Sequence, residues 1–180
     1  MSTNDHVIGK ILFTEAEIRK RAEELGEEIS NEFKGEELVV IGTLKGSVPW
    51  MCDLIKCLDL DTVIDFVKAS SYGSSTTTSG VVKISMDTEL NLYNKNVLVV
   101  EDIVDTGTTL KYLLEKLNER HPKSLKVCTM LDKPSRRTAD FHADYIGFQV
   151  EDLFIIGYGL DYDQKYRNLP YISYLQNEGK

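Results

Sequence analysis

Apolar residues recur every three or four positions near the start of the chain and predict its first helix. Thr14 and Glu17 have the spacing of a capping box, in which a Thr and a Glu three residues apart satisfy each other's backbone amides. The apolar positions that follow lie on one helical face. The pattern therefore predicts an amphipathic helix over residues 14–33, with Ile18, Ala22, Leu25, Ile29 and Phe33 on its inner face.

Two continuous apolar runs indicate strands that are buried on both faces. Residues 38–41 and 97–100 contain only Leu, Val and Ile, as is typical of the interior of a parallel sheet. An apolar helical pattern follows each run, so each run begins a βα unit. In the first unit, Ser47 and Pro49 suit a helix start, and the predicted inner residues are Val48, Met51, Cys52, Ile55 and Leu58. In the second unit they are Leu110, Leu113, Leu114 and Leu117.

Shorter segments complete a predicted α/β sheet. Further strands are predicted at residues 63–68, 81–86, 125–131, 145–149 and 154–158. The stretch 69–80 is too small and polar to pack a core and is predicted to be one long flexible loop. Strands that alternate with helices predict a mainly parallel twisted sheet flanked by helices, with ligand sites at the carboxyl ends of the strands. A length of 180 residues favours a single domain over residues 1–180.

Charge and cysteine content narrow the classes of function. The net charge of −8 argues against the broad basic face that nucleic acid or an anionic membrane requires, although a few cations and helix N-termini can still hold a small anion. The polar start and the short apolar runs predict neither a targeting segment nor a membrane span. Cys52, Cys57 and Cys128 form no C-x-x-C pair, so we interpret them, with Trp50, as packing residues of a cytoplasmic protein.

The chemistry of the chain concentrates where the second buried strand meets its helix. Three carboxylates, Glu101, Asp102 and Asp105, crowd into a predicted turn and are followed by T-G-T-T at residues 106–109. Amides and hydroxyls at a helix N-terminus suit a phosphate, whereas carboxylates repel it and bind hydroxyls or a metal. The segment thus predicts a ligand such as a ribose 5-phosphate. The alternative is that Asp105 and Thr106 merely cap the helix while the other two acids are solvated.

This segment resembles the phosphoribosyl diphosphate (PRPP) signature of the type I phosphoribosyltransferases. Over residues 38–168 the chain resembles the hypoxanthine-guanine branch of that family. The supporting pieces are L-K-G-S at 44–47, S-Y-G at 71–73, Lys133 with Arg137, residues 154–158, and L-D-Y at 160–162 with Arg167. The resemblance implies a type I phosphoribosyltransferase fold, with a small hood formed by the N- and C-terminal segments.

The resemblance also implies an activity in purine salvage. The 5-phosphoribosyl group of PRPP would pass to hypoxanthine or guanine and give IMP or GMP plus pyrophosphate, through an oxocarbenium-like transfer assisted by Mg²⁺. A homodimer or homotetramer is implied as well, and so is a cis peptide bond between Leu44 and Lys45.

The resemblance assigns a role to each candidate site residue. The ribose and phosphate of PRPP would be bound by Glu101, Asp102, Asp105, Thr106, Gly107, Thr108 and Thr109. Asp105 would also be the catalytic acid or base near purine N7. Pyrophosphate would be bound by Lys45, Gly46 and Arg167, and the purine by Lys133, Phe154 and Ile155. Ser71 and Tyr72 would belong to a lid, and Glu101, Asp102 and Asp161 would contact Mg²⁺.

Other interpretations stay open at this point. Composition alone would place Phe154 in the core and leave Lys133, Arg136 and Arg167 as solvated cations. A regulatory relative that binds RNA or a repressor partner, an enzyme for orotate or adenine, and a purely structural domain are the competing functions. An adenine enzyme would need a hydrogen-bond acceptor where Lys133 stands. Hypoxanthine, guanine and xanthine are equally compatible with the sequence.

Overall fold

The computed structural model describes residues 7–72 and 81–176. Its elements, in chain order, are β1 (Val7–Ile8), α1 (Glu15–Glu32), β2 (Leu38–Thr43), α2 (Val48–Ile55), β3 (Thr62–Tyr72), β4 (Val81–Met86), β5 (Asn96–Val104), α3 (Thr108–Asn118), β6 (Ser124–Asp132), β7 (Tyr145–Gln149), β8 (Ile155–Ile156) and β9 (Ser173–Gln176). A short 3₁₀ turn, Pro134–Arg136, follows β6.

Six strands form the central sheet, in the order β4-β3-β2-β5-β6-β7. β3 and β4 pair antiparallel, and the four other pairs are parallel. All of β2 and the first five residues of β5 are buried, which accounts for the apolar runs at residues 38–41 and 97–100 within them. The predicted mainly parallel α/β sheet is confirmed.

The first helix begins and packs as predicted. The Thr14 hydroxyl accepts from the Glu17 amide at 3.3 Å, and the Glu17 carboxylate accepts from the Thr14 amide at 2.8 Å. The predicted inner face of this helix, from Ile18 to Phe33, is buried, and α1 itself ends at Glu32. α1 covers one side of the sheet with α2, while α3 packs against β3, β4 and β6.

The inner face of α2 differs from the prediction. Trp50, Met51 and Leu54 are buried, whereas Cys52 is exposed. Because successive residues are separated by about 100° around a helix, Cys52 falls on the side opposite these three. The predicted packing role of Cys52 is therefore wrong, while Trp50 and Cys128 are buried and Cys57 is half-buried.

The strand after α2 is longer than its apolar sequence indicates. β3 continues through Tyr72 and pairs with β4, with Ala69 opposite Ile84 and Tyr72 opposite Val81. Residues 69–72 are therefore strand, and the prediction that they belong to a loop is wrong. Backbone hydrogen bonding to β4 sustains the strand where its side chains are small and polar. The rest of the predicted loop, residues 73–80, lies outside the described residues.

A second sheet joins the two ends of the chain above the main one. Its three strands have the order β1-β9-β8 and pair antiparallel, which matches the predicted hood. β8 is two residues long instead of spanning 154–158, because Gly157, Tyr158 and Gly159 all adopt positive φ and turn the chain. No helix in the described part of the chain is long and apolar enough to cross a membrane.

Candidate active site

The candidate site lies where the carboxyl ends of the parallel strands meet. The register places Gly42 of β2 beside Val100 of β5, and Val104 of β5 beside Asp132 of β6. The loops that follow these strands are consequently neighbours. Two cavities of about 160 and 350 Å³ open among these loops, and Ile103 and Asp105 line both of them.

The first cavity lies at the start of α3. Gly107 is the N-cap of this helix with φ +81°, and no side chain caps the helix at that position. The first amides of an α-helix have no partner within the helix, so they are available to an anion together with the helix dipole. The Thr106 hydroxyl makes one long contact with the Thr108 amide, at 3.4 Å. Asp105 does not cap α3, so the structure does not support the purely capping interpretation of this segment.

Glu101 and Asp102 are part of β5 and not of a turn. β5 continues to Val104, with Glu101 opposite Thr129 of β6, so the prediction that these acids stand in a turn is wrong. Burial raises the pKa of Glu101 well above its ordinary value, and the adjacent charge of Asp102 raises it further. Burial also raises the pKa of Asp102. Two adjoining carboxyl groups in such surroundings are typical of a binding site.

The loop after β2 touches Asp102 through its backbone. The Leu44–Lys45 peptide bond is cis, as predicted. A Cβ atom at residue 46 would lie 1.5 Å from Asp102 Oδ2, so any larger residue here would displace the Asp102 carboxylate. A Cβ atom at Gly159 would lie 2.0 Å from the Gly46 carbonyl oxygen. The loop 44–47 is therefore packed between the acids of β5 and the turn after β8.

Arg167 and Asp161 form an ion pair beside that loop. Arg167 Nη2 lies 2.6 Å from Asp161 Oδ1, and Nη1 donates to the Gly159 carbonyl at 2.6 Å. Arg167 Nε is buried without a hydrogen-bond partner in the described residues. Lys45 Nζ donates to Gln164 Oε1 at 3.1 Å, so it reaches the same segment. Lys45, Gly46 and Arg167, the three residues predicted to bind pyrophosphate, thus lie close together. Arg167 is not simply solvated.

The structure does not gather the predicted Mg²⁺ contacts into one cluster. Within residues 7–72 and 81–176, no three His, Cys, Asp or Glu side chains are placed to hold a metal. Asp161 instead uses its oxygens on Arg167 and on the Gln164 amide, at 2.6 and 2.8 Å. Glu101 and Asp102 form a separate pair.

Lys133 and Phe154 occupy surroundings opposite to those that composition predicts. Lys133 is only 7% exposed, its amide donates to the Val104 carbonyl at 3.0 Å, and its Nζ donates to the Leu153 carbonyl at 2.7 Å. Phe154 is 54% exposed, and its ring meets the Tyr162 ring edge-on with centroids 5.4 Å apart. The interpretations of Lys133 as a solvated cation and of Phe154 as core are both wrong.

These two side chains face a common space. Lys133, Phe154 and Ile155 all line the second cavity, with Leu153 and Leu160. An exposed aromatic ring, a buried ammonium group and apolar walls form a site suited to a flat heterocycle that carries an acceptor oxygen. Asp105 lies on the side that this cavity shares with the first.

Two adjacent arginines contact Asp105, and the sequence analysis assigned neither of them a role. Arg136 Nε lies 2.9 Å from Asp105 Oδ1, and its side chain is 46% exposed, so the prediction that it is solvated is confirmed although it also pairs with Asp105. The Arg137 side chain is only 11% exposed; it pairs with Asp132 and donates from Nε to the Asp105 carbonyl at 3.1 Å. The sequence does carry a signal for them: the R-R pair comes soon after the predicted strand 125–131, whose neighbour in the sheet precedes Asp105.

The predicted lid residues lie at the edge of what the structure describes. Ser71 and Tyr72 are the last two residues of β3. Their side chains, and residues 73–80, are outside the described part, so the lid stays a prediction.

Comparison with known proteins identifies close relatives over nearly the whole chain. The model of the family described as phosphoribosyl transferase domain matches residues 10–163. The hypoxanthine-guanine phosphoribosyltransferase of Bacillus subtilis (strain 168) is 49% identical over 171 residues, which are 95% of this chain and 95% of that protein.

Solved structures of related proteins are similar to this chain in both fold and sequence. A crystal structure of a hypoxanthine phosphoribosyltransferase from Staphylococcus aureus matches with a TM-score of 0.91 and 46% identity, over 94% of this chain and 92% of that one. A hypoxanthine phosphoribosyltransferase from Trypanosoma cruzi, in a complex with its substrates, matches with a TM-score of 0.90 and 41% identity, over 95% of this chain and 97% of that one.

Proposed function

The chain belongs to the phosphoribosyl transferase domain family and is a transferase, and from this premise we propose that it transfers the 5-phosphoribosyl group of PRPP to hypoxanthine or guanine. The products are IMP or GMP and pyrophosphate. The observation that carries the proposal is the pair of adjoining cavities that share Asp105, one at the start of α3 and one beneath Phe154. A reaction that joins a ribose phosphate to a flat base needs two such compartments side by side.

In the first compartment, the start of α3 binds the 5-phosphate. Thr106, Gly107, Thr108 and Thr109 offer amides and hydroxyls, and the helix dipole favours the anion. Glu101 and Asp102 accept hydrogen bonds from the ribose hydroxyls. The raised pKa of Glu101 supports this role, because holding two adjoining acids away from water is unfavourable. Hydrogen bonds to a polar ligand offset that penalty.

Pyrophosphate leaves toward the loop after β2. Lys45 and Gly46 present backbone amides there, and Arg167 adds positive charge next to Gly159. The buried Arg167 Nε, which lacks a partner among the described residues, supports an anionic ligand at this place. These groups stabilise charge on the leaving group, which is the main demand of a transfer that needs no protein nucleophile.

The residues present fit Mg²⁺ when PRPP supplies part of its coordination shell. Mg²⁺ keeps several waters and binds through one or two carboxylates together with substrate phosphates, so a cluster of three acids is not required. Glu101, Asp102 and Asp161 are the carboxylates that would contact it. When bound, the ion neutralises charge on pyrophosphate.

In the second compartment, Phe154 stacks on the purine and the Ile155 backbone meets its edge. Lys133 donates to the 6-oxo oxygen, and Asp105 exchanges a proton with N7. Asp105 is suited to this role because it lies where both compartments meet.

The activity is tested by a spectrophotometric assay with PRPP, Mg²⁺ and each base in turn. Hypoxanthine and guanine should be converted to nucleotides, and adenine and orotate should not. Xanthine decides how strictly the 2-position is selected. Absence of turnover with every 6-oxopurine, by protein with a cooperative unfolding transition, would overturn the proposal.

We propose further that residues 1–180 act as a single domain in the cytoplasm and assemble as a homodimer or homotetramer. The free cysteines favour a reducing compartment. Val63 and Ile64 of β3 and Met86 of β4 are exposed apolar side chains, which favours association. Light scattering after size exclusion measures the assembly, and a monomer at micromolar concentration would contradict it.

A further inference from the structure

Arg136 joins two acids that belong to different loops around the second cavity. Its Nε lies 2.9 Å from Asp105 Oδ1, and its Nη1 lies 3.4 Å from Asp152 Oδ2. Asp105 follows β5, whereas Asp152 lies between β7 and β8. All three side chains line the cavity that also holds Lys133 and Phe154.

The fold does not require these ion pairs. The side chains of Arg136, Asp105 and Asp152 are 46%, 42% and 55% exposed. Ion pairs between groups so exposed contribute little to stability, because water screens them and long side chains lose entropy when they are fixed. A local role is therefore the better explanation of this arrangement.

The 3₁₀ turn Pro134–Arg136 fixes where Arg136 can reach. The Arg136 amide donates to the Lys133 carbonyl at 3.2 Å, so the arginine is tied to the residue proposed to select the base. On the other side, Arg137 Nε holds the Asp105 carbonyl at 3.1 Å. The backbone of Asp105 is thus held by one arginine and its carboxylate by the next.

We propose that Arg136 is a positioning residue, which orients the Asp105 carboxylate toward the purine cavity and joins it to the opposite loop through Asp152. The inference rests on the proposed function. Without Arg136, the Asp105 side chain can turn toward solvent, so a smaller fraction of bound complexes is aligned for proton exchange. Arg136 acts through Asp105 and does not itself bind the base.

The test compares Arg136→Gln and Arg136→Lys in the wild-type and Asp105→Asn backgrounds. Arg136→Gln should lower kcat about tenfold, since well-placed acid–base groups contribute on the order of 10²–10⁴. The KM values for PRPP and hypoxanthine should change less than about twofold, because ground-state binding is kept. Arg136→Lys should restore part of kcat. In the Asp105→Asn background, Arg136→Gln should have little further effect.

Arg19→Gln is the matched control, because Arg19 is an exposed arginine paired with Glu15 on α1. It should leave kcat unchanged. Equal losses from Arg136→Gln in both backgrounds, or a change in KM alone, would overturn the inference and indicate direct contact with substrate.

A substrate-free measurement separates this inference from the proposed function. In crystals of Arg136→Gln, the Asp105 carboxylate should leave the position that it has in the wild type. An unmoved carboxylate would refute the positioning role whatever the enzyme turns out to catalyse. A wild type that is inactive with every 6-oxopurine, but whose Asp105 moves on substitution, would refute only the proposed function.

Discussion

Lys133 shows at the scale of one residue how burial changes what a cation can do. An exposed lysine has water for all three of its N–H donors, but Lys133 is buried and one donor is committed to the Leu153 carbonyl. Asp152 Oδ1 lies 4.0 Å from Lys133 Nζ, beyond hydrogen-bond distance, so the remaining donors are available to a ligand in the adjoining cavity. An ammonium group has no acceptor, so it satisfies a 6-oxo oxygen and leaves a 6-amino group unpaired.

Replacing Lys133 with Gln should therefore alter the choice of base. We expect kcat/KM for hypoxanthine to fall by a factor on the order of 10² or more, and the discrimination against adenine, on the order of 10⁴ in the wild type, to narrow. Parallel assays with the two bases measure this ratio. Lys56→Gln, on the exposed end of α2, is the control and should leave the ratio unchanged. A ratio that Lys133→Gln leaves unaltered would contradict the role of Lys133.

Residue identities at the site could be predicted from the sequence, but their surroundings could not. The T-G-T-T segment and the acids before it are contiguous, so their chemistry is visible in one line of sequence. The ion pair between Arg136 and Asp105 joins residues that follow two neighbouring strands. It depends on the direction that a three-residue turn gives to the Arg136 side chain. For the same reason the exposure of Phe154 is visible only once β8 is seen to be short.

At the scale of elements, buried ion pairs tie the site to the sheet beneath it. Arg137 follows the 3₁₀ turn, and its guanidinium contacts Asp132 at the end of β6 and the carbonyls of Val104 and Asp105. It donates also to the Phe141 carbonyl at 2.7 Å. This side chain fixes the end of β5 relative to the end of β6, and so the shape of the turn that we propose binds the 5-phosphate.

Arg137→Met should destabilise the protein by about 3–5 kcal/mol, because it leaves Asp132 buried without its partner. Urea denaturation measures the free energy of unfolding. Arg136→Met is the matched control and should cost about 1 kcal/mol or less, since its ion pairs are exposed. Adding Asp132→Leu to Arg137→Met should recover much of the loss, and a double variant no more stable than Arg137→Met would contradict this account.

Glu32, at the end of α1, links that helix to the sheet through contacts that should weaken in acid. Its carboxylate pairs with Lys126 of β6 and accepts a hydrogen bond from the Tyr145 hydroxyl of β7. The hydrogen bond from Lys126, and then that from Tyr145, lowers the pKa of Glu32. A lowered carboxyl pKa gives stability that is present above the unfolded pKa and is lost as the pH falls through the folded one.

Glu32→Gln should accordingly cost stability at pH 7 and cost progressively less below about pH 4.5, the ordinary value. The loss at pH 7 should be roughly 0.5–1 kcal/mol, since this carboxylate is substantially exposed and screened by water. Thermal unfolding at several pH values measures the difference. Glu27→Gln, an exposed change on the same helix, is the matched control. A loss that stays constant down to pH 3 would contradict the prediction.

The elements that carry long patterns could be predicted, whereas the bounds of the short ones could not. α1 and β7 have the predicted positions because α1 has a capping box with five periodic apolar residues and β7 contains the strand-favouring residues Tyr, Ile and Phe. β1 and β8 contain two residues each, too few for any periodicity, and only pairing with β9 makes them strands. The extension of β3 through residue 72 likewise depends on β4.

At the scale of the whole molecule, the charge of the protein opposes the charge of the proposed substrate. The chain carries −8 at pH 7, and PRPP is itself a polyanion. Lys45 and Arg167 alone supply too little positive charge near the pyrophosphate to offset both. The binding of PRPP should therefore require a divalent cation in addition to Lys45, Arg167 and the N-terminus of α3.

We expect PRPP to raise Tm only when Mg²⁺ is present. At a hundredfold excess over Kd a ligand stabilises the folded state by about 2.7 kcal/mol, which for a chain of this size is roughly 5–10 °C. Differential scanning fluorimetry with Mg²⁺ alone, PRPP alone and both together measures this, and turnover in excess EDTA should be lost. An equal shift with PRPP in EDTA, or full turnover there, would refute the dependence on Mg²⁺.

The close contact between Gly46 and Asp102 also constrains how this chain can diverge. A methyl group at residue 46 would overlap the Asp102 carboxylate, and one at Gly159 would overlap the carbonyl of Gly46. Gly46 cannot acquire a side chain while the Asp102 carboxylate stays in place, and Gly159 cannot acquire one while the Gly46 carbonyl stays in place, whichever residue stands at position 102. Recombination between homologous genes with a crossover between residues 46 and 102 should therefore yield active chimaeras only when the segment that carries Asp102 is joined to one that carries glycine at residue 46.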